Sequence, residues 1–254
     1  MCLLVMAYRA YPDYPLIVAA NRDEFYRRAT APADFWADYA DVLAGRDLEQ
    51  GGTWMGVTRG GKFAALTNVR DPSHFRSTAK SRGQIVADYL TGQADIDIYS
   101  KHIAQHSDGY NGFNFIGGTV QQLLSFSTVD AQVKPLAPGI YGLSNHMLDT
   151  AWPKVQRSKQ TMGSILSSTT NLEADLFAML SDKTPADDAR LPDTGVGIEK
   201  ERWLSSIFIQ VQGYGTRCSS LLMIDHVGNA QFVERTFSVS GGLAETRRFR
   251  FAFQ

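Results

Sequence analysis

Two hydrophobic patterns alternate along the chain, one of strand type and one of helix type. Cys2–Tyr8 is an unbroken apolar run, and 16–20 is a second one after Pro12 and Pro15. Short continuous runs of this kind fit strands that are buried on both faces. Segments 54–58 and 62–68 flank Arg59-Gly60-Gly61 and read as a hairpin. The period then lengthens. Ile85, Val86, Tyr89 and Leu90 share one helical face behind Ser81 and Gln84, which are spaced as a capping box. Segment 97–106 suits a second helix, with Ile96, Tyr99 and Ile103 inward.

Strand character returns at 113–117 and Leu123–Ser127. A helix is expected over about 151–167, with Pro153 tolerated in its first turn. Asn171 caps another that carries Leu172, Leu176, Met179 and Leu180. Segment 182–200 is rich in Pro, Gly and Asp and reads as an exposed loop. Strands close the chain at 207–211, 219–225, 231–237 and 246–253, the last with Phe249, Phe251 and Phe253 at period two. This order makes the fold class α+β. Two stacked sheets with helices on both outer faces accommodate it, as other α+β layouts do. No repeat, low-complexity tract or long linker divides the chain, so 1–254 reads as a single domain.

Charge narrows the partners. The 254 residues hold 25 Lys plus Arg against 26 Asp plus Glu, a net charge of -1, which argues against a nucleic-acid partner. No apolar run approaches the roughly 18 residues of a transmembrane segment. The first basic residue is Arg9, so the charged start of a secretory signal is missing, and the expected location is cytoplasmic. Cys2 and Cys218 are too few for a disulfide scaffold. His102 and His106 stand i, i+4 on a helix but lack a third ligand, so no metal site is expected.

The densest polar cluster, Asn21-Arg22-Asp23-Glu24, directly follows the apolar run 16–20. A solvated turn is its plainest account. If 2–8 and 16–20 pair as a hairpin, however, Cys2 and residues 21–23 share one end of it. Cys2 is small enough for Met1 to be trimmed, which leaves an α-amine beside its own thiol. With an ordinary pKa of about 7.7–8, that amine can take the thiol proton near neutral pH. Asp23 could orient the ammonium, and Arg22 could favour the thiolate or a substrate carboxylate. Acyl transfer also needs oxyanion donors, for which Asn68 and Asn145 are candidates at strand ends. Arg217 is a further polar residue at a strand edge. Cys218 reads as a small hydrophobe within a strand.

Seven collinear motifs carry a family resemblance: Met1-Cys2, Asn21-Arg22-Asp23-Glu24-Phe25, Gly51-Gly52-Thr53-Trp54-Met55-Gly56, Ala65-Leu66-Thr67-Asn68, Tyr110-Asn111-Gly112-Phe113-Asn114, Tyr141-Gly142-Leu143-Ser144-Asn145 and Gly213-Tyr214-Gly215-Thr216-Arg217. From Cys2 to about Phe253, the chain resembles the NRDE family. More distantly it is similar to N-terminal-nucleophile hydrolases of the choloylglycine hydrolase and penicillin acylase kind. That similarity implies a four-layer αββα sandwich and a catalytic set of Cys2, Asn21, Asp23, Asn68, Asn145 and Arg217. One departure stands out. Where those hydrolases carry an Arg just before Asn-x-Asp, this chain has Ala20, with Arg22 inside the motif instead.

The NRDE resemblance implies intracellular haem trafficking, with haem as the transported ligand and haem donor or acceptor proteins as partners. It also implies a link to lipid or acyl-CoA handling. Arg22 and Arg217 would then pair with propionates while Trp54 lines a flat pocket. The chain has no Cys-x-x-Cys-His motif and no histidine in a recognisable axial context. The competing expectation is a Cys2-dependent hydrolase of an amide or thioester with a small amphipathic, acyl-type substrate. Neither reading calls for a catalytic cofactor.

Overall fold

The computed structural model describes residues 2–254. Its first half contains β1 (Cys2–Tyr8), β2 (Leu16–Phe25), β3 (Thr30–Phe35), β4 (Val42–Asp47), β5 (Met55–Thr58), β6 (Phe63–Asn68), α1 (Gly83–Thr91) and α2 (Ile96–Gln105). Then come β7 (Phe113–Gly118), β8 (Leu123–Ser127), β9 (Gln132–Pro135), β10 (Gly139–Leu143), α3 (Pro153–Ser168) and α4 (Leu172–Leu180). The chain closes with α5 (Ile198–Leu204), β11 (Gln210–Val211), β12 (Tyr214–Ile224), β13 (Asn229–Phe237) and β14 (Leu243–Ala252).

The strands form two antiparallel sheets. One runs β10-β1-β2-β12-β13-β14, with β11 paired to β12, and the other runs β3 to β9 in chain order. Period-two alternation distributes each strand between two interfaces. Leu4, Met6, Leu16 and Val18 face the other sheet and meet Leu43, Val57, Phe63 and Ile116. Val5, Ile17 and Ala19 point the opposite way and meet Met162, Leu176, Phe177 and Leu180 of α3 and α4. On the second sheet, Phe113, Phe115 and Phe126 pack against Ile85, Tyr89 and Ile103 of α1 and α2. The result is the expected αββα sandwich. Burial on both faces explains why β1 and the start of β2 are apolar at every position.

Several local expectations change. Segment 21–24 is no turn: β2 continues through it to Phe25, and Asn21, Arg22 and Asp23 are buried. Its polar groups find partners inside the protein, so the strand can carry them inward. The Ser81 capping box does not form, because Arg82 is the N-cap and the Gln84 amide donates to Asp88 instead. Asn171 does cap α4, accepting from the Ala174 N–H at 3.2 Å. Within 182–200, α5 begins at Ile198. The sequence pattern also missed β3, β4, β9 and β10, which are short or at the sheet edges.

Gly45 in β4 lies directly under the Trp54 ring. A Cβ there would stand 2.2 Å from Cη2 and 2.6 Å from Cζ2. Gly45→Ala is therefore expected to displace the indole and lower stability by about 1–3 kcal/mol, read as a drop in the urea midpoint.

Candidate active site

The β1–β2 register sets Cys2 opposite Arg22, and the β2–β12 register sets Arg22 opposite Cys218. Cys2 lies in phase with Leu4 and Met6, so it shares the inter-sheet face with Arg22. It is partly exposed at the floor of a cleft of about 290 Å³, whose lining includes Arg22, Asp23, Trp54 and Asn68. The Arg22 guanidinium stacks on Trp54 with its carbon 4.3 Å from the ring centroid and donates to the Thr30 hydroxyl at 3.1 Å.

Cations line the outer part of this cleft. Arg28 is neutralised by Asp47 at 2.6 Å. Arg76 donates to the Asp108 and Tyr110 carbonyls, and Arg82 to the Gly112 carbonyl. Carbonyl acceptors orient these side chains without cancelling their charge. With Lys80 beside them, the rim favours an anionic ligand group.

On the opposite face of the first sheet, Asn21 and Asp23 sit in a buried polar network. The Asn21 amide donates to the Leu180 and Ile207 carbonyls at 2.8 and 2.9 Å and accepts from the Ser219 hydroxyl at 2.6 Å. Asp23 Oδ1 accepts from the Thr216 hydroxyl at 2.7 Å, and its carbonyl accepts from the Tyr214 hydroxyl at 3.1 Å. Arg70 and Glu201 form a fully buried ion pair, and Glu201 also accepts from the Thr194 amide. Lys154 lies 1% exposed in the first turn of α3, electrostatically coupled to Asp23, Arg70, Cys2 and Glu201.

Burial sets the protonation of these groups. It pushes the Cys2 thiol up, and Asp23 adds to the rise, while Arg22 and a hydrogen bond from the Asp23 backbone oppose it. Burial also raises the Asp23 carboxyl, with Lys154 the strongest opposing influence. Lys154 itself is pushed down to about 8 by burial, against the pull of Asp23.

The six residues of the expected catalytic set therefore fall into four places. Cys2 and Asn68 line the cleft beside Arg22 and Trp54, and Asp23 borders it while its carboxylate lies in the network on the opposite face. Asn145 is fully buried behind it: its amide donates to the Asn68 carbonyl at 2.9 Å, and its Oδ1 accepts from Ser144 at 3.1 Å. Asn21 anchors β2 to the helix layer. Arg217 is pushed out by a bulge between Thr216 and Cys218, and its guanidinium donates to the Phe25 and Arg28 carbonyls. It borders a separate cavity of about 250 Å³, which also contacts Arg22, Trp54 and Cys218. There Glu234 accepts from the Ala33 amide at 2.6 Å and from Ser220 at 3.2 Å, and burial raises its carboxyl. Sequence reasoning missed Lys154, Arg70, Glu201 and Glu234. Only Lys154 left a sequence signal, a cation immediately after a helix-starting proline, where the helix dipole disfavours it.

A four-layer αββα sandwich with a cysteine at the start of its first central strand defines the N-terminal-nucleophile hydrolase fold class. Within that class the chain belongs to the Transport and Golgi organisation 2 family, whose profile it matches over residues 1–239. It is 33% identical to the human Transport and Golgi organization protein 2 homolog, with both chains covered completely. It is 35% identical to the Bos taurus homolog over 93% of each chain. Among solved structures, a mutant conjugated bile acid hydrolase from Clostridium perfringens overlays with a TM-score of 0.49 and 7% identity, covering 99% of this chain and 97% of that one. A Caenorhabditis elegans ortholog of N-acylethanolamine-hydrolyzing acid amidase gives 0.47 and 10%, over 87% and 92%.

Two outcomes test the buried charges. Glu201→Ala strands the Arg70 guanidinium and should cost about 3–5 kcal/mol in urea denaturation. Lys154 binds its proton less tightly folded, at about 8, than the ordinary 10.5. At Lys154 the unfolded chain therefore holds more protons between those values, so this lysine contributes stability that grows as pH climbs from about 8 toward 10. The Cys2 and Cys218 thiols, both raised by burial, contribute a loss over the same interval. Above about 10, buried tyrosines such as Tyr214, whose hydroxyl is raised by burial, add to that loss. The native protein should therefore gain stability relative to Lys154→Met as pH rises from about 8 toward 10, read as the difference between their urea midpoints.

Proposed function

We propose that the protein is a Cys2-dependent N-terminal-nucleophile hydrolase that cleaves an amide or thioester of a small amphipathic, acyl-type substrate. The observation that carries this reading is the position of Cys2. Cys2 lines the cleft, and its thiol lies within electrostatic reach of the buried Asp23 and Lys154. Removal of Met1 frees the Cys2 α-amine, which accepts the thiol proton. The thiolate attacks the substrate carbonyl, and the half-buried Asn68, which lines the same cleft, is the side-chain candidate for the oxyanion. Collapse of the tetrahedral adduct breaks the bond to the leaving group, which departs with the proton from the ammonium. Water then attacks the Cys2 thioester and gives its proton to the amine. Release of the acid restores the thiol.

Haem carriage is a second reading. Trp54 and the cations Arg76, Lys80 and Arg82 favour it, since a flat ligand bearing carboxylates suits that lining. Among the described residues no histidine lines the cleft, so haem would be held there by its carboxylates and ring face. A haem donor or acceptor protein would then meet the cationic rim.

Intact mass separates the two. For the hydrolase, Met1 is absent, acyl amides or thioesters are turned over, Cys2→Ala abolishes turnover and Cys2→Ser leaves a trace. Turnover that survives Cys2→Ala would sink the hydrolase. Retained Met1 together with a haem-sized adduct in the native spectrum, from haem-replete cells, favours carriage.

A further inference from the structure

Lys154 occupies a place that is unfavourable on two counts. It lies in the first turn of α3, the end where the helix dipole disfavours a cation. It is also 1% exposed, and its Nζ has no hydrogen-bond partner among the described residues. A methionine of similar length would occupy the space at no electrostatic cost, so packing does not account for a lysine here.

The charged groups around it come from four elements: Asp23 on β2, Cys2 on β1, Arg70 after β6 and Glu201 on α5. Arg70 and Glu201 satisfy one another in their own buried ion pair. That leaves Asp23 as the counter-charge to Lys154. Around Asp23 stand Arg22 on the same strand and Thr216 and Tyr214 from β12. Among the side chains that act on the Asp23 carboxyl, Lys154 has the largest influence toward ionisation. Asp23 in turn acts on Cys2 in two senses: its charge opposes the thiolate, while a hydrogen bond from its backbone favours it.

We propose that Lys154 is a positioning residue for the Cys2 centre: it keeps the buried Asp23 ionised, and ionised Asp23 stabilises the α-ammonium formed when the Cys2 amine takes the thiol proton. In that step one proton leaves Sγ and arrives at the α-nitrogen. Asp23 and Lys154 neither gain nor lose one. The second half rests on the hydrolase reading, whereas the first concerns only the two buried side chains.

The experiment is a pH titration of the full chain labelled with ¹³C at aspartate carboxyls. The Asp23 resonance is the one that vanishes in Asp23→Asn. Its midpoint should rise by at least about one unit in Lys154→Met, a tenfold change in proton affinity, and stay near the native value in Lys154→Arg. Equal midpoints in the native protein and Lys154→Met overturn the proposal. Lys154→Gln serves in place of a methionine variant that does not fold. Alkylation of the Met1-free protein by iodoacetamide, followed on the Cys2 peptide by mass, tests the second half. Its acidic limb should move to higher pH in Lys154→Met, slowing the reaction about tenfold within the limb, and Lys154→Arg should recover it. A limb that moves to lower pH, as relief of the Asp23 charge on the thiol alone would give, overturns the second half. A shifted Asp23 with an unmoved Cys2 profile overturns the link to the thiol. Hydrolysis that persists in Cys2→Ala removes the hydrolase reading and leaves the Asp23 titration standing by itself.

Discussion

Ser144 and Asn145 tie the two sheets together at the end where the chain begins. The Ser144 hydroxyl donates to the Cys2 carbonyl, the Asn145 amide donates to the Asn68 carbonyl, and the Asn145 carbonyl accepts from the Arg70 amide. One dipeptide just after β10 therefore holds β1 of the first sheet against the end of β6 in the second. Cys2 and Asn68 share a cleft because of this clamp. The hydrogen bonds are buried, so each group that lost its partner would carry a desolvation cost of about 1–3 kcal/mol. Such a cost allows little freedom in how the two sheets meet at this end.

The same end of the sandwich gives up apolar packing for charge. Period two in β2 sends Arg22 toward the sheet-sheet interface and Asp23 toward the helices. Neighbouring residues thus enter two separate buried systems: Arg22 beside Glu234 and Trp54, and Asp23 beside Lys154 and Thr216. Buried charges destabilise unless paired, and Lys154 is paired through space without a hydrogen bond. Elsewhere the three interfaces are filled by aliphatic and aromatic side chains. An otherwise apolar fold that tolerates such a cluster at one end has the local inconsistency expected of a functional site.

Much of the architecture was legible because burial on both faces leaves a strong mark. β1, β6 and β8 were readable as apolar runs, α3 and α4 by their starts, and β14 by alternating phenylalanines. β3, β4, β9 and β10 were not, since short strands at or near sheet edges are too mixed in composition to stand out. The extension of β2 through residues 21–24 was not legible, because polar residues ordinarily end a buried strand and both a solvated turn and a polar cluster at the strand end fit them. Here distant partners satisfy them: Leu180 and Ile207 for Asn21, Thr216 for Asp23.

The sequence by itself determined the family and the order of strands and helices, and through the family resemblance it pointed to the αββα layers. It set Cys2 and residues 21–23 at one end on the condition that the first two strands pair. These follow from local pattern, collinear motifs and the reach of adjacent strands. Only the tertiary structure decided which face each polar residue takes and what meets it there. It set Asn145 behind Asn68, turned Arg217 to the β2–β3 turn, and brought Lys154 and Glu201 from distant helices to Asp23 and Arg70. Side-chain chemistry can be read one residue at a time. The field at a buried carboxylate is a sum over neighbours more than a hundred residues away, and folding alone selects them.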